Sequence, residues 1–395
     1  MIRSRNFAPY FVGNATSASG TWFQNLAASI LVFRLTHSPF LLGVLNFCQF
    51  VPVLLLAPWA GSFADRFDRR KLLLATQAAE VGLSACLAAL AWRGAATEWV
   101  VIGFSAAMGV GSALASPAQQ SLIAALVEEE DVPQAVALNS MTFNLARAIG
   151  PASAAAVIGT LGIPWAFAIN SVSYLLLIAG LLLVHPREEE RAERPSLLES
   201  FRLLRENRSL VLALVVVMVA GFGSDPVNTE SPAFAHAFGH PSTWAGVIVA
   251  CFGAGAVSAA LLVAGRVAGS RQRMALTLGA LGVGIALFSI VPWLWLGFPL
   301  LALAGFGYLS SNTAATTRLQ LGVAPSQRGR IMALWSVAFL GLRPVASLVD
   351  GAIAGTLGVR AAGVTLALPA LLGAAVALTT LRAWSGARSS SPRLR

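Results

Sequence analysis

Long stretches without a charged side chain set the terms for this chain: residues 6–33, 35–64, 99–127, 148–186, 231–265 and 274–317 contain no Asp, Glu, Lys or Arg. Such segments suit hydrocarbon, where the backbone has no water to bond and an α-helix satisfies every N–H and C=O within itself. A crossing takes about 20 apolar residues, so several stretches hold two. Gly162 and Pro164 divide 148–186, and Pro292, Gly297 and Pro299 divide 274–317, each through a tight turn. The expected spans are 8–33, 40–63, 72–92, 99–122, 138–161, 164–184, 209–231, 241–264, 274–295, 298–317, 331–356 and 361–382. These twelve leave room for short connections only. With 11% of 395 residues charged, against about 25% in soluble domains, a soluble fold is excluded.

Basic residues near span ends are retained in the cytoplasm. With the N-terminus inside, 22 of the 27 Lys and Arg residues fall in inner segments, from Arg3 and Arg5 to Arg393 and Arg395. Outer loops hold Arg34, Arg93 and Arg360, while Arg147 and Arg343 lie within spans. Both termini are therefore expected in the cytoplasm. The net charge of +10 is topological rather than the footprint of a nucleic-acid binder, so the expected partner is the bilayer and no nucleic acid. The first apolar segment is too long and too polar for a cleavable signal and is expected to stay as a span. Cys48, Cys86 and Cys251 lack metal or disulfide spacing and are expected to pack as small apolar residues. Trp59, Trp92, Trp99, Trp165, Trp244, Trp293, Trp295 and Trp384 stand near span ends, as an interfacial belt requires.

The chain also repeats. Gly159-Thr160-Leu161-Gly162 recurs as Gly355-Thr356-Leu357-Gly358, and at the same offset of 196 residues Arg147 matches Arg343 and Phe143 matches Phe339. The charged stretch 185–208 divides the two copies. The expected domains are a six-helix bundle over 1–184, a cytoplasmic linker over 185–208, and a second bundle over 209–395 with a short tail. Parallel six-span repeats are the plan of a rocker transporter whose substrate site lies between the halves; chance recurrence in apolar sequence is the duller alternative.

Between the second and third spans stands Gly61-Ser62-Phe63-Ala64-Asp65-Arg66-Phe67-Asp68-Arg69-Arg70-Lys71. This resembles the loop motif of the major facilitator superfamily. The resemblance extends to the bacterial exporters that include macrolide efflux pumps and the enterobactin exporter, through Gly20 to Gln24, Asp131 to Ser140, Asn144 to Arg147 with Gly150-Pro151, Ile169 to Tyr174 and Gln327 to Leu334. It implies an all-α fold of twelve transmembrane helices in two pseudo-symmetric halves. It also implies a conformational switch loop at Gly61, Asp65, Arg66, Arg69 and Arg70, with Asp65 facing the start of span eleven. The corresponding second-half loop has Gly269 in place of the Asp. Gln119 stands where relatives often carry Arg, and Ala152-Ser153-Ala154-Ala155 replaces the paired glycines of the antiporter signature.

Polar side chains recur at helical spacing in the spans. Asn14, Ser17, Thr21 and Gln24 share one face of span one, with Asn25 beside them; Ser105, Ser112, Ser116 and Gln119 share one face of span four; Tyr308 and Asn312 lie on span ten. A polar stripe faces protein or a water-filled cavity, and these residues are the candidates for lining a substrate cavity, with helix packing as the alternative. Six charges fall inside spans: Glu80, Arg147, Asp225, Glu230, Arg343 and Asp350. An intramembrane ionisable group is costly and marks function by default. Arg343 and Asp350 stand two turns apart, as a structural ion pair would, whereas Asp225, Glu230 and Glu80 are candidates for proton coupling.

No Walker loop or metal-spaced cluster occurs, and His37, His185, His236 and His240 fall in expected loops. An enzyme is therefore not expected, nor a cofactor. The expected activity is secondary active export of amphipathic small molecules across a bacterial plasma membrane by a monomer, with a proton as coupling ion. An uptake carrier of the same fold and a non-transporting sensor or scaffold are the alternatives.

Overall fold

The computed structural model describes residues 6–66, 68–187, 204, 207–263, 270–324 and 327–389. Among these, every regular element is helical: α1 (Ala8–Thr36), α2 (Pro39–Arg66), α3 (Arg69–Trp92), α4 (Glu98–Ala125), α5 (Val132–Thr160), α6 (Ile163–Leu183), α7 (Arg208–Thr229), α8 (Ser231–Ala237), α9 (Ala245–Val263), α10 (Arg271–Ile290), α11 (Leu294–Leu321), α12 (Arg328–Leu340), α13 (Arg343–Leu357) and α14 (Val359–Ser389). Ten stretches among the described residues are long and apolar enough to cross a membrane. The expected first and fifth spans form as α1 and α5, of 29 residues each, but their polar side chains keep them outside that set.

Two expected spans are broken, and proline explains both. The seventh stops at Thr229, and α8 begins with Pro232 in its first turn. The eleventh is interrupted at Gly341 and Leu342 before Arg343 and Pro344 open α13. Proline has no N–H for the helical ladder and disfavours helical backbone in the residue before it. The break also places His236 on a short helix rather than in a loop.

The described residues of Met1–Arg194, Thr229–Ala250 and Ser347–Thr356 form one compact unit. Within it α1 lies along α6 where glycine permits backbone contact: a Cβ on Gly13 would stand 2.8 Å from the Leu177 Cα, and one on Gly20 would stand 2.8 Å from the Ser173 Cβ. Small residues are what let helices approach in lipid, where apolar burial gives no drive to associate. Phe7, Tyr10, Leu122, Leu126, Leu181 and Val184 form an apolar cluster at one end of the unit.

The described residues of Pro195–Asn228, Cys251–Ala346 and Leu357–Arg395 form the second unit. Leu210, Val217, Leu319, Ile331 and Leu334 make its apolar cluster. α9 and α11 interlock through Gly255 and Gly305, since a Cβ on Gly305 would stand 2.7 Å from the Phe252 carbonyl carbon. In the first unit Gly109 of α4 meets α2 likewise, with a Cβ position 3.0 Å from the Gln49 carbonyl carbon. Gly109 and Gly305 are separated by the same 196 residues as the repeated segments. The sequence repeat thus recurs as a repeated helix contact.

Trp59, Trp92, Trp99, Trp165, Trp244, Trp293 and Trp295 are all exposed, while the side chain of Trp384 lies outside the described residues. The three cysteines are free; Cys48 and Cys251 are half-buried and Cys86 is exposed.

Candidate functional site

The buried face of α3 repeats every three or four residues through Leu73, Gln77, Glu80, Ser84 and Leu87. That periodicity turns Glu80 into the first unit, where it is 4% exposed. Gln77 Nε2 donates to Glu80 Oε2 at 3.0 Å, and the Ser112 hydroxyl of α4 is its other hydrogen-bond partner. Gly111 makes room for the carboxyl group, because a Cβ there would stand 3.0 Å from Glu80 Oε1. The carboxyl group is thus held by neutral donors inside a bundle of apolar helices.

One turn along α3, Ser84 Oγ donates to Gln24 Oε1 at 2.6 Å, and Asn170 Nδ2 of α6 donates to the same oxygen at 2.7 Å. Gln24 Nε2 is directed at the Met108 sulfur. Ser173 Oγ donates to Asn170 Oδ1 at 3.0 Å, and the Thr21 and Tyr174 hydroxyls meet at 3.3 Å. Four helices, α1, α3, α4 and α6, are thereby tied around one polar centre. Buried polar networks are costly when half satisfied and rigidifying when complete. Asn170→Ala is therefore expected to destabilise the protein by about 1–3 kcal/mol, read as a lower unfolding temperature in detergent. Unchanged stability would show that the network carries no net energy.

A second network joins α1, α4 and α5 nearer the N-terminal end of α1. Asn14 Nδ2 donates to Asn139 Oδ1 at 2.6 Å, and Gln119 Nε2 donates to Asn14 Oδ1. Gln119 is thus part of a neutral hydrogen-bonded set.

Asn25 accepts from Gln49 of α2 at 2.9 Å. Ser17 and Ser105 are buried, Ser116 is half-buried and Ser112 is exposed. In the second unit Tyr308 packs its ring 5.6 Å from that of Phe252, and the Thr316 hydroxyl donates to the Asn312 backbone carbonyl at 2.8 Å. Arg147 is half-buried with its guanidinium 5.7 Å from the centre of the Trp22 ring, a cation–π arrangement. Asp225, Glu230 and Asp350 are buried and Arg343 is half-buried.

In the switch loop, Gly61, Asp65 and Arg66 belong to the helical backbone of α2, and their side chains lie outside the described residues, as does Phe67. Asp68 caps α3 by accepting from the Lys71 N–H at 2.8 Å. Arg69 is half-buried. Arg70 donates to the Leu181 and Leu182 carbonyls, each at 2.7 Å, and so neutralises the C-terminal end of α6 with a cation where the helix dipole favours one. Most of the linker 185–208 and the second-half loop 264–269 lie outside the described residues. Sequence reading did not single out Gln77, Ser84, Gln49 or Met108; the period of Gln77, Glu80 and Ser84 on α3 was the available signal.

Known proteins share both sequence and fold with this chain. Residues 2–394 match the family described as transmembrane secretion effector. The staphyloferrin A transporter of Staphylococcus aureus is 28% identical over 211 residues, which is 51% of this chain and 53% of that protein, so the match spans about half of that relative. The enterobactin exporter EntS of Shigella boydii is 28% identical over 349 residues, 84% of this chain and 80% of that protein. A bacterial homologue of the human lysosomal transporter Spinster, solved in an inward-facing conformation, superposes with a TM-score of 0.75 at 12% identity over 95% of this chain and 96% of its own. The nucleoside transporter NupG superposes with a TM-score of 0.72 at 14% identity over 96% and 99%, and at these identities the likeness is one of fold. The chain belongs to the transmembrane secretion effector family of the major facilitator superfamily and is a multi-pass membrane transporter.

Proposed function

We propose that this transporter exports amphipathic small molecules, of drug, macrolide or siderophore-like kind, across a bacterial plasma membrane by alternating access with proton antiport. In this reading twelve helices cross the bilayer, both termini face the cytoplasm, and the monomer is the working unit. The observation that carries it is Glu80: a carboxyl group 4% exposed, set among neutral donors within a membrane-crossing bundle. A charge at such a depth is costly. Gain and loss of a proton at Glu80 therefore changes which conformation is favoured, and a proton can drive the cycle only through such a difference between states. The activities for which the matched relatives are named, enterobactin export and staphyloferrin A transport, support small-molecule export.

The test is accumulation of an amphipathic fluorescent dye, ethidium, in bacterial cells with and without the protein. Lower accumulation in expressing cells, restored by a protonophore, is the expected result. Greater accumulation in expressing cells identifies an uptake carrier, and equal accumulation of ethidium and of a catecholate siderophore identifies a non-transporting protein.

A further inference from the structure

At the C-terminal end of α1, the first unit brings together two histidines that transport does not account for. His37 closes α1 with its N–H on the Phe33 carbonyl at 2.8 Å, in the left-handed conformation with φ 51°. His236 lies on α8, and both imidazoles are exposed. Their ring centres are 5.9 Å apart, and each stands 5.7 Å from the ring of buried Phe33, so the three rings form a closed triangle on an apolar floor. Arg34, the neighbouring cation, is engaged with Ser242 Oγ at 3.0 Å. A cavity of about 480 Å³, lined by His37, Ser38, Phe40, Ala352 and Thr356 among others, opens beside His37.

We propose that His37 and His236 form a two-imidazole clip for a divalent transition metal such as Zn²⁺ or Ni²⁺. A metal–nitrogen bond of about 2.0–2.1 Å places the ion about 3 Å from each ring centre. Two imidazoles on one ion therefore have centres about 5–6.5 Å apart, which includes the observed separation. Imidazole suits zinc, nickel and copper, whereas magnesium and calcium take oxygen ligands. Water completes the coordination sphere through the adjoining cavity. Binding joins residues nearly 200 positions apart in sequence and fastens the end of α1 to α8, so it stabilises the arrangement in which these helices touch.

The test uses the full chain, purified in detergent without a polyhistidine tag, and reads unfolding temperature and calorimetric stoichiometry, neither of which depends on transport. NiCl₂ or ZnCl₂ is expected to bind one ion per chain and raise the unfolding temperature by about 2–4 °C, with no rise in MgCl₂. His37→Asn, which retains a residue tolerant of left-handed backbone, and His236→Gln are each expected to remove the shift. A full shift in either variant overturns the clip, as does a wild-type protein that Ni²⁺ and Zn²⁺ leave unchanged. Loss of metal stabilisation in both variants, with dye export intact, separates the clip from the export reading.

Discussion

Glu80→Gln is expected to abolish proton-driven export while leaving substrate exchange intact. The amide is nearly isosteric with the carboxyl group and can still bond to Gln77 and Ser112, so the bundle keeps its packing. It cannot gain or lose a proton, so the two conformations no longer differ in proton affinity and the gradient has no purchase on the cycle. Transport driven by a pH difference should fall by about 100-fold, equivalent to about 2.7 kcal/mol at the limiting barrier. Exchange of labelled for unlabelled substrate needs no net proton movement and should stay near the wild-type rate. Full pH-driven transport by Glu80→Gln would transfer the coupling role to Asp225, Glu230 or another group. The same substitution at those two carboxylates, Asp225→Asn and Glu230→Gln, is the direct comparison.

The second large effect concerns closure. Gly43 of α2 and Gly351 of α13 meet backbone to backbone in the first unit: a Cβ on Gly43 would stand 2.9 Å from the Gly351 Cα, and one on Gly351 would stand 2.8 Å from the Gly43 Cα. Gly246 of α9 is seated similarly on Pro151 and Leu26, with its Cβ position 3.2 Å from a Leu26 methyl group. These contacts hold two segments of the later sequence, Thr229–Ala250 and Ser347–Thr356, within the first unit. In the proposed alternating access, one arrangement forms and breaks in every cycle, and an added side chain acts on the arrangement with the closest contact. Gly43→Val is expected to prevent the approach without removing any hydrogen bond, to lower the unfolding temperature and to slow transport by about 10-fold or more. Wild-type flux in Gly43→Val would show that this contact takes no part in the cycle.

Much of the fold was legible because one physical constraint dominates it. Charge cannot be placed cheaply in hydrocarbon, so the uncharged runs marked the helices, and α6 at Ile163–Leu183 and α3 at Arg69–Trp92 lie within three residues of the spans expected from them. The breaks at Glu230 and Gly341 were less visible, since a proline near the end of an apolar run reads equally as a kink, a cap or a new helix. Polar periodicity exposed the stripe Asn14, Ser17, Thr21 and Gln24, but not its surroundings. Cavity lining and helix packing select the same small and polar residues. The structure shows Asn14 and Gln24 bonded to Asn139 and to Ser84 and Asn170, partners more than fifty residues away, and no local pattern announces a pairing of that kind.

Residue roles followed the same division. Asp68 and Arg70 were readable as part of a basic loop motif, but not that Asp68 caps α3 or that Arg70 reaches the carbonyls at the end of α6, more than a hundred residues away. Glu80 was readable as an anomaly, a lone acid in an apolar run. Its neutral setting became visible only when α4 and α6 were brought beside α3.

The most direct measurement of proton-coupled export is flux in proteoliposomes that contain the purified protein, a trapped pH-sensitive dye and no other transporter. Imposing a pH gradient should drive a catecholate siderophore or ethidium against its concentration gradient, and adding either substrate should move protons in the opposite direction, with both signals absent from Glu80→Gln liposomes. Substrate movement that ignores the pH gradient and leaves the trapped dye unchanged would contradict proton antiport.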